Sequence, residues 1–120
     1  MKAKKILIVD DEKDACEFLK DFFESKGFQA AVAHSGPEAV RLAESQKPEV
    51  ILLDFQMPGM DGLQVLEAIR KLRLSSKIIM MTGVNESKTM EQALRLGAVH
   101  YVTKPFKMEY LFKEVQQILA

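Results

Sequence analysis

Tryptophan is absent from this chain, cysteine occurs once and histidine twice. A single thiol, Cys16, excludes an internal disulfide, so the core alone must hold the fold. Net charge is also missing. The 17 basic residues balance the 17 acidic ones, which removes the basic excess that direct nucleic-acid binders show. No apolar run approaches a membrane span or a signal-peptide core; the first, Ile6 to Val9, runs straight into Asp10-Asp11-Glu12. The expectation is a cytoplasmic protein with no membrane partner and no direct contact to nucleic acid. Cys16 lies among Ala15, Phe18 and Leu19 and reads as a small buried apolar side chain, since neither His34 nor His100 stands in a nucleophile motif.

What is present suits one domain over residues 1–120: apolar residues make up 48%, enough for a single core. Five short apolar runs alternate with five amphipathic segments. The runs are Ile6 to Val9, Phe28 to Ala33, Val50 to Leu53, Ile78 to Met81 and Val99 to Val102. The first, third and fourth are continuous rather than alternating, the mark of strands covered on both faces. The second is weaker and suits an edge.

Between them, helices are predicted over about Lys13 to Lys26, closed by Gly27; from Ser35, with Glu38 at capping-box spacing; after Asp61-Gly62; from near Asn85 to Gly97; and after Pro105. Strict alternation of strand and helix gives right-handed βα units. Five are too few for an eight-fold barrel. The expected fold is α/β, a doubly wound (βα)5 flavodoxin-like three-layer sandwich. Strand order is not visible in the residues; 2-1-3-4-5 is the solution adopted.

In such sheets ligands bind beyond the carboxyl ends of the strands. Strand one ends in Asp10-Asp11, strand three in Asp54 and strand four in Thr82, and Lys104 follows strand five. Strand two ends near His34-Ser35, at the edge and away from the others. Three carboxylates, a hydroxyl and an ammonium thus converge. Packed carboxylates repel, and a divalent cation relieves the repulsion; all-oxygen donors suit magnesium. Each residue also has a plain reading. Asp10 or Asp11 can cap the first helix, Asp54 can open the turn that follows it, Asp61 reads as a turn or cap residue, Thr82 as a strand-end hydroxyl and Lys104 as a solvated lysine. Their joint placement at four strand ends favours a site.

These residues resemble the receiver domain of bacterial two-component response regulators, a CheY-like domain. The resemblance runs from Ile6 to the last helix. It rests on Ile6-Leu7-Ile8-Val9-Asp10-Asp11-Glu12, on Leu52-Leu53-Asp54-Phe55-Gln56-Met57-Pro58-Gly59-Met60-Asp61-Gly62, on Met81-Thr82-Gly83, and on Gly97-Ala98 with Tyr101-Val102-Thr103-Lys104-Pro105-Phe106.

It implies that Asp54 is the phosphoacceptor. Asp11, Asp54 and the backbone carbonyl of Gln56 would ligate Mg2+, with Asp10 acting chiefly through a water. Lys104 and Thr82 would bond phosphoryl oxygens, and the Lys104-Pro105 peptide would be cis. Thr82 and Tyr101 would form the switch. The partners implied are a sensor histidine kinase or histidine phosphotransfer protein as donor, recognised around Ala15, Phe18 and Leu19, and a downstream output domain or target protein. Such a protein promotes its own phosphotransfer without being a turnover enzyme. A single-domain shuttle and the receiver of a longer regulator both fit.

Gln56 and Val84 would border the phosphoryl group; apolar Val84 cannot orient a water, so slow self-dephosphorylation is expected. Lys107 departs from the family pattern, because it cannot cap the last helix. Three other functions compete. A dehalogenase-type phosphatase needs an acid where Gln56 stands. A flavin carrier needs a phosphate-cradling loop where Asp10-Asp11 stand. A pseudo-receiver binding module would not need Asp11, Asp54, Thr82 and Lys104 together.

Overall fold

The computed structural model describes residues 3–57, 61–83 and 87–120. Five strands and five helices alternate: β1 (Lys5–Val9), α1 (Lys13–Ser25), β2 (Gln29–Ala33), α2 (Gly36–Gln46), β3 (Val50–Asp54), α3 (Gly62–Lys71), β4 (Lys77–Thr82), α4 (Ser87–Arg95), β5 (His100–Thr103) and α5 (Met108–Leu119). All strand pairs are parallel, in the order β2-β1-β3-β4-β5. The sheet and its order are those expected, with the weak second run at an edge.

Each inner strand is buried on both faces because successive side chains feed different cores. Leu7, Val9, Ile51, Leu53 and Met80 point to the layer of α2, α3 and α4, where Ala39, Val65, Leu66, Ile69 and Ala93 meet them. Ile6, Ile8, Leu52, Ile79 and Met81 point to the other layer, against Cys16, Leu19, Phe23, Leu111 and Val115 of α1 and α5. Each fully buried Leu or Ile contributes about 1.5–3 kcal/mol of transfer free energy. These residues therefore decide which face every helix presents.

The helix ends set the loops that carry the site. α1 stops at Gly27, whose φ of 92° is the left-handed conformation a side chain would resist. Asp61 caps α3 through a reciprocal box: its side chain accepts from Gln64 N, and Gln64 Oε1 accepts from Asp61 N, each at 3.0 Å. The cap reading of Asp61 is thus the observed one.

At α2 the box expected from Ser35 and Glu38 is displaced. Ser35 Oγ accepts from Glu38 N, but Glu38 Oε1 takes the amide of His34, one residue earlier, at 2.7 Å. The expected start of α4 at Asn85 lies outside the described residues, as do Val84 and the turn residues Pro58 and Gly59.

α5 begins after Lys107, which offers no side-chain cap. Lys107→Ser is expected to supply one and stabilise the fold by about 1 kcal/mol. Thermal unfolding should show the midpoint rising by roughly 4 °C. No rise would mean that the first turn of α5 is already satisfied by solvent.

Candidate functional site

The parallel sheet delivers the chemistry to one end. β1 and β3 are paired in register through Val9 and Leu53, so Asp10 and Asp54 emerge side by side. Asp54 is paired with Met81 on β4, one residue before Thr82. One carboxylate oxygen from each of Asp10, Asp11 and Asp54 lies within 4.8 Å of the others. Asp10 and Asp54 are buried, whereas Asp11 is exposed.

Lys104 crosses from β5 to bridge two of the three. Its Nζ lies 3.3 Å from Asp10 Oδ2 and 3.3 Å from Asp54 Oδ1. Its own amide donates to the Thr82 carbonyl at 2.7 Å, which anchors the turn. The Lys104-Pro105 peptide is cis. An open cleft of about 660 Å³ sits over Asp11, Asp54, Gln56 and Lys104. Gln56 is exposed and lines that cleft, and its backbone amide bonds the Asp54 carboxylate.

The electrostatics follow from this crowding. Burial and then the neighbouring Asp10 charge push the Asp54 carboxyl up to about 6, against the pull of Lys104 and the Gln56 amide. Burial disfavours the Lys104 ammonium, but Asp54 and Asp10 outweigh it and hold its pKa above the ordinary lysine value. Among the described residues the three carboxylates are met by one ammonium, which pairs with Asp10 and Asp54, so the cluster carries excess negative charge. Hard oxygen donors with uncompensated charge are the chemistry that holds a divalent cation.

Thr82 is fully buried, and its Oγ1 has no hydrogen-bond partner among the described residues. A buried hydroxyl left unpaired is a donor waiting for an acceptor. Tyr101 is half-buried, packs against the α2–α4 core and stacks on His100 with ring centroids 5.9 Å apart.

Two features are not legible in the residues. His34, expected to lie away from the site, puts Nδ1 3.1 Å from the Asp10 carbonyl oxygen. Gly62 packs its α-carbon against the backbone that follows Asp54: a Cβ there would stand 2.6 Å from Phe55 Cα and 2.9 Å from the Asp54 carbonyl. The bracket Asp10–Asp11 could equally have capped α1. Instead Glu12 occupies the cap position without a side-chain bond, and Asp10 Oδ1 accepts from Glu12 N at 3.0 Å.

A family model for the response regulator receiver domain matches residues 6–116. The chain is 38% identical over 116 residues to the alkaline phosphatase synthesis transcriptional regulatory protein PhoP of Bacillus subtilis, covering 97% of this chain and 48% of that protein. It is 39% identical over 115 residues to the regulatory protein AtoC of Escherichia coli, covering 96% of this chain and 25% of that protein. It therefore spans about half or less of these curated relatives. Among solved structures, a CheY-like response regulator receiver domain protein from Methanospirillum hungatei matches with a TM-score of 0.94 at 30% identity, covering 98% of this chain and 94% of that one. A two-component response regulator from Clostridium difficile matches with a TM-score of 0.92 at 35% identity, covering 97% and 95%.

Proposed function

The chain belongs to the response regulator receiver domain family of two-component signalling, and on that premise we propose that it is a switch thrown by phosphorylation of Asp54. The observation that carries this reading is the position of Lys104 Nζ, 3.3 Å from the carboxylates of both Asp10 and Asp54. A cation held there can follow charge from the acceptor onto a transferring phosphoryl group.

Asp54 is the nucleophile. One carboxylate oxygen attacks phosphorus, an O–P bond forms, and the bond from phosphorus to the donor breaks. At neutral pH Asp54 is mostly ionised, since its pKa of about 6 lies below that pH. Lys104 pairs with a phosphoryl oxygen once the Asp54 carboxylate has become an acyl phosphate. The Thr82 hydroxyl, which has no partner among the described residues, donates to another. Asp10, Asp11, Asp54 and the Gln56 carbonyl would hold magnesium, which supplies positive charge to the phosphoryl oxygens when bound.

Movement of Thr82 toward the new acceptor would open space next to Tyr101, which sits on the neighbouring strand β5 and is only half-buried. Inward rotation of that ring would alter the surface of α4, β5 and α5, and so the contact with an output domain or target protein. Both curated relatives are named as regulatory proteins, and the name of PhoP, a transcriptional regulatory protein, supports a transcriptional output.

The donor would be a sensor histidine kinase or a histidine phosphotransfer protein. Phe18, 64% exposed on α1, is a natural contact for it, and Ala15 lies beside it. Leu19, grouped with them from the residues alone, is 3% exposed and belongs to the core, because it follows Cys16 and precedes Phe23 on the buried stripe of α1. No described helix is long and apolar enough to cross a membrane.

Acetyl phosphate and magnesium, with intact mass as the readout, test the reading. One phosphoryl group is expected on the parent and none on Asp54→Asn or without magnesium. Incorporation that survives Asp54→Asn would move the acceptor elsewhere. A parent that accepts nothing from acetyl phosphate or from a phosphohistidine donor would be a pseudo-receiver.

A further inference from the structure

Two donors converge on one carbonyl at the end of β1. His34 Nδ1 lies 3.1 Å from the Asp10 carbonyl oxygen, and Cys16 Sγ lies 3.2 Å from the same atom. A carbonyl only accepts, so His34 must carry its proton on Nδ1, and the thiol gives the second bond. The 3.7 Å between Sγ and Nδ1 is then a contact of two donors sharing an acceptor. Both lone pairs of the Asp10 carbonyl are thereby used. Burial, then the charge of Asp10, push the Cys16 thiol up to about 12, so it stays a donor rather than a nucleophile.

The consequence lies in peptide planarity. The plane that contains the Asp10 carbonyl also contains the Asp11 amide, so fixing the oxygen fixes the direction in which the chain enters Asp11. Asp10 is held at every other point. Its amide donates to the Ala33 carbonyl at 3.1 Å, and its carboxylate accepts from Glu12 N at 3.0 Å and from Lys104 at 3.3 Å. Asp11, by contrast, is exposed. Its orientation depends on the peptide that precedes it. His34 is itself seated, because its amide donates to Glu38 Oε1 at 2.7 Å.

We propose that His34 is a positioning residue which, with Cys16, locks the Asp10–Asp11 peptide and so presents the two carboxylates to a magnesium ion already oriented. This rests on the reading of Asp10 and Asp11 as magnesium-holding residues. Outer-shell groups of this kind influence affinity through the orientation of the ligands they hold.

Magnesium binding to the whole chain, measured by isothermal titration calorimetry, tests it with His34→Leu and His34→Asn. Asparagine carries a donor nitrogen on Cγ, at the same branch as Nδ1, whereas leucine has none. His34→Leu should weaken magnesium about tenfold, and His34→Asn should recover most of the loss. Thermal midpoints without magnesium are taken alongside, because a purely structural role would lower the midpoint and leave affinity alone. Equal affinity in the parent and His34→Leu would overturn the inference whatever the midpoints.

If His34→Leu does not fold, Cys16→Ala and Cys16→Ser put the same question to the other donor. Weaker binding in the alanine variant with recovery in serine supports the lock, and equal affinities overturn it. A parent that binds no magnesium overturns the underlying reading, and this inference with it. A parent that binds, with variants that bind equally well, overturns this inference alone.

Discussion

Asp54→Asn is expected to make the magnesium-free protein more stable near neutral pH by about 2–3 kcal/mol. The gain should shrink as the pH falls and vanish below about pH 4. Asp54 has a folded-state pKa of about 6, raised from an ordinary 3.8 by burial and by Asp10. A raised acid favours the fold while it is protonated in the native state. That contribution is full below the unfolded pKa and is lost as the pH rises through the folded value. Above about pH 6 the buried carboxylate destabilises the chain, and asparagine, neutral at every pH, does not.

The thermal midpoint should therefore separate by on the order of 10 °C near neutrality and converge in acid. Magnesium should raise the midpoint of the parent more than that of the variant, since the charge it would neutralise is absent from asparagine. Parallel curves for parent and variant from about pH 4 to 7 would mean that Asp54 is solvated and uncoupled from Asp10. On the proposed reading the stored repulsion is also functional, because the same crowding would give cation binding its driving force.

The architecture is legible in the chain because parallel strands bury both faces. The continuous runs Ile6–Val9, Val50–Leu53 and Ile78–Met81 are the inner strands, and each alternate residue serves a different layer. Strand ends shift where polar residues extend the pairing, as at Lys5, Lys77 and Thr103, since backbone hydrogen bonds do not need an apolar side chain. The cluster of Asp10, Asp11, Asp54 and Lys104 is legible for a topological reason: parallel strands place all their carboxyl ends on one side.

Lateral contacts are not legible. The bond between His34 and Asp10 spans 24 residues and depends on β2 pairing with β1 and on the turn of one ring. Glu38 takes the amide of His34 rather than that of Ser35, a difference of one residue that spacing cannot resolve. That the Thr82 hydroxyl has no partner among the described residues shows only once its neighbours are placed.

Gly62→Ala is expected to lower both stability and phosphoryl uptake, although helix propensity alone argues the opposite. Alanine at an ordinary helical position would gain up to about 1 kcal/mol over glycine. Here the added Cβ would stand 2.6 Å from Phe55 Cα and 2.9 Å from the Asp54 carbonyl oxygen. Both are backbone atoms and cannot rotate away; only Met80 Cε, at 3.0 Å, can yield. The Gly62 amide also donates to the Phe55 carbonyl at 2.7 Å, so α3 and the loop after Asp54 cannot simply separate. Overpacking of this kind typically costs about 1–3 kcal/mol, which outweighs the propensity gain.

The displaced segment carries Asp54 and leads to the Gln56 carbonyl, so uptake from acetyl phosphate should slow even at a denaturant concentration where the variant is folded. Gly83→Ala is the comparison for stability. A Cβ there meets nothing within 4 Å among the described residues, and its urea midpoint should match the parent's. A Gly62→Ala midpoint at or above that of Gly83→Ala would show that the loop after Asp54 relaxes freely, and that α3 does not hold Asp54 in place.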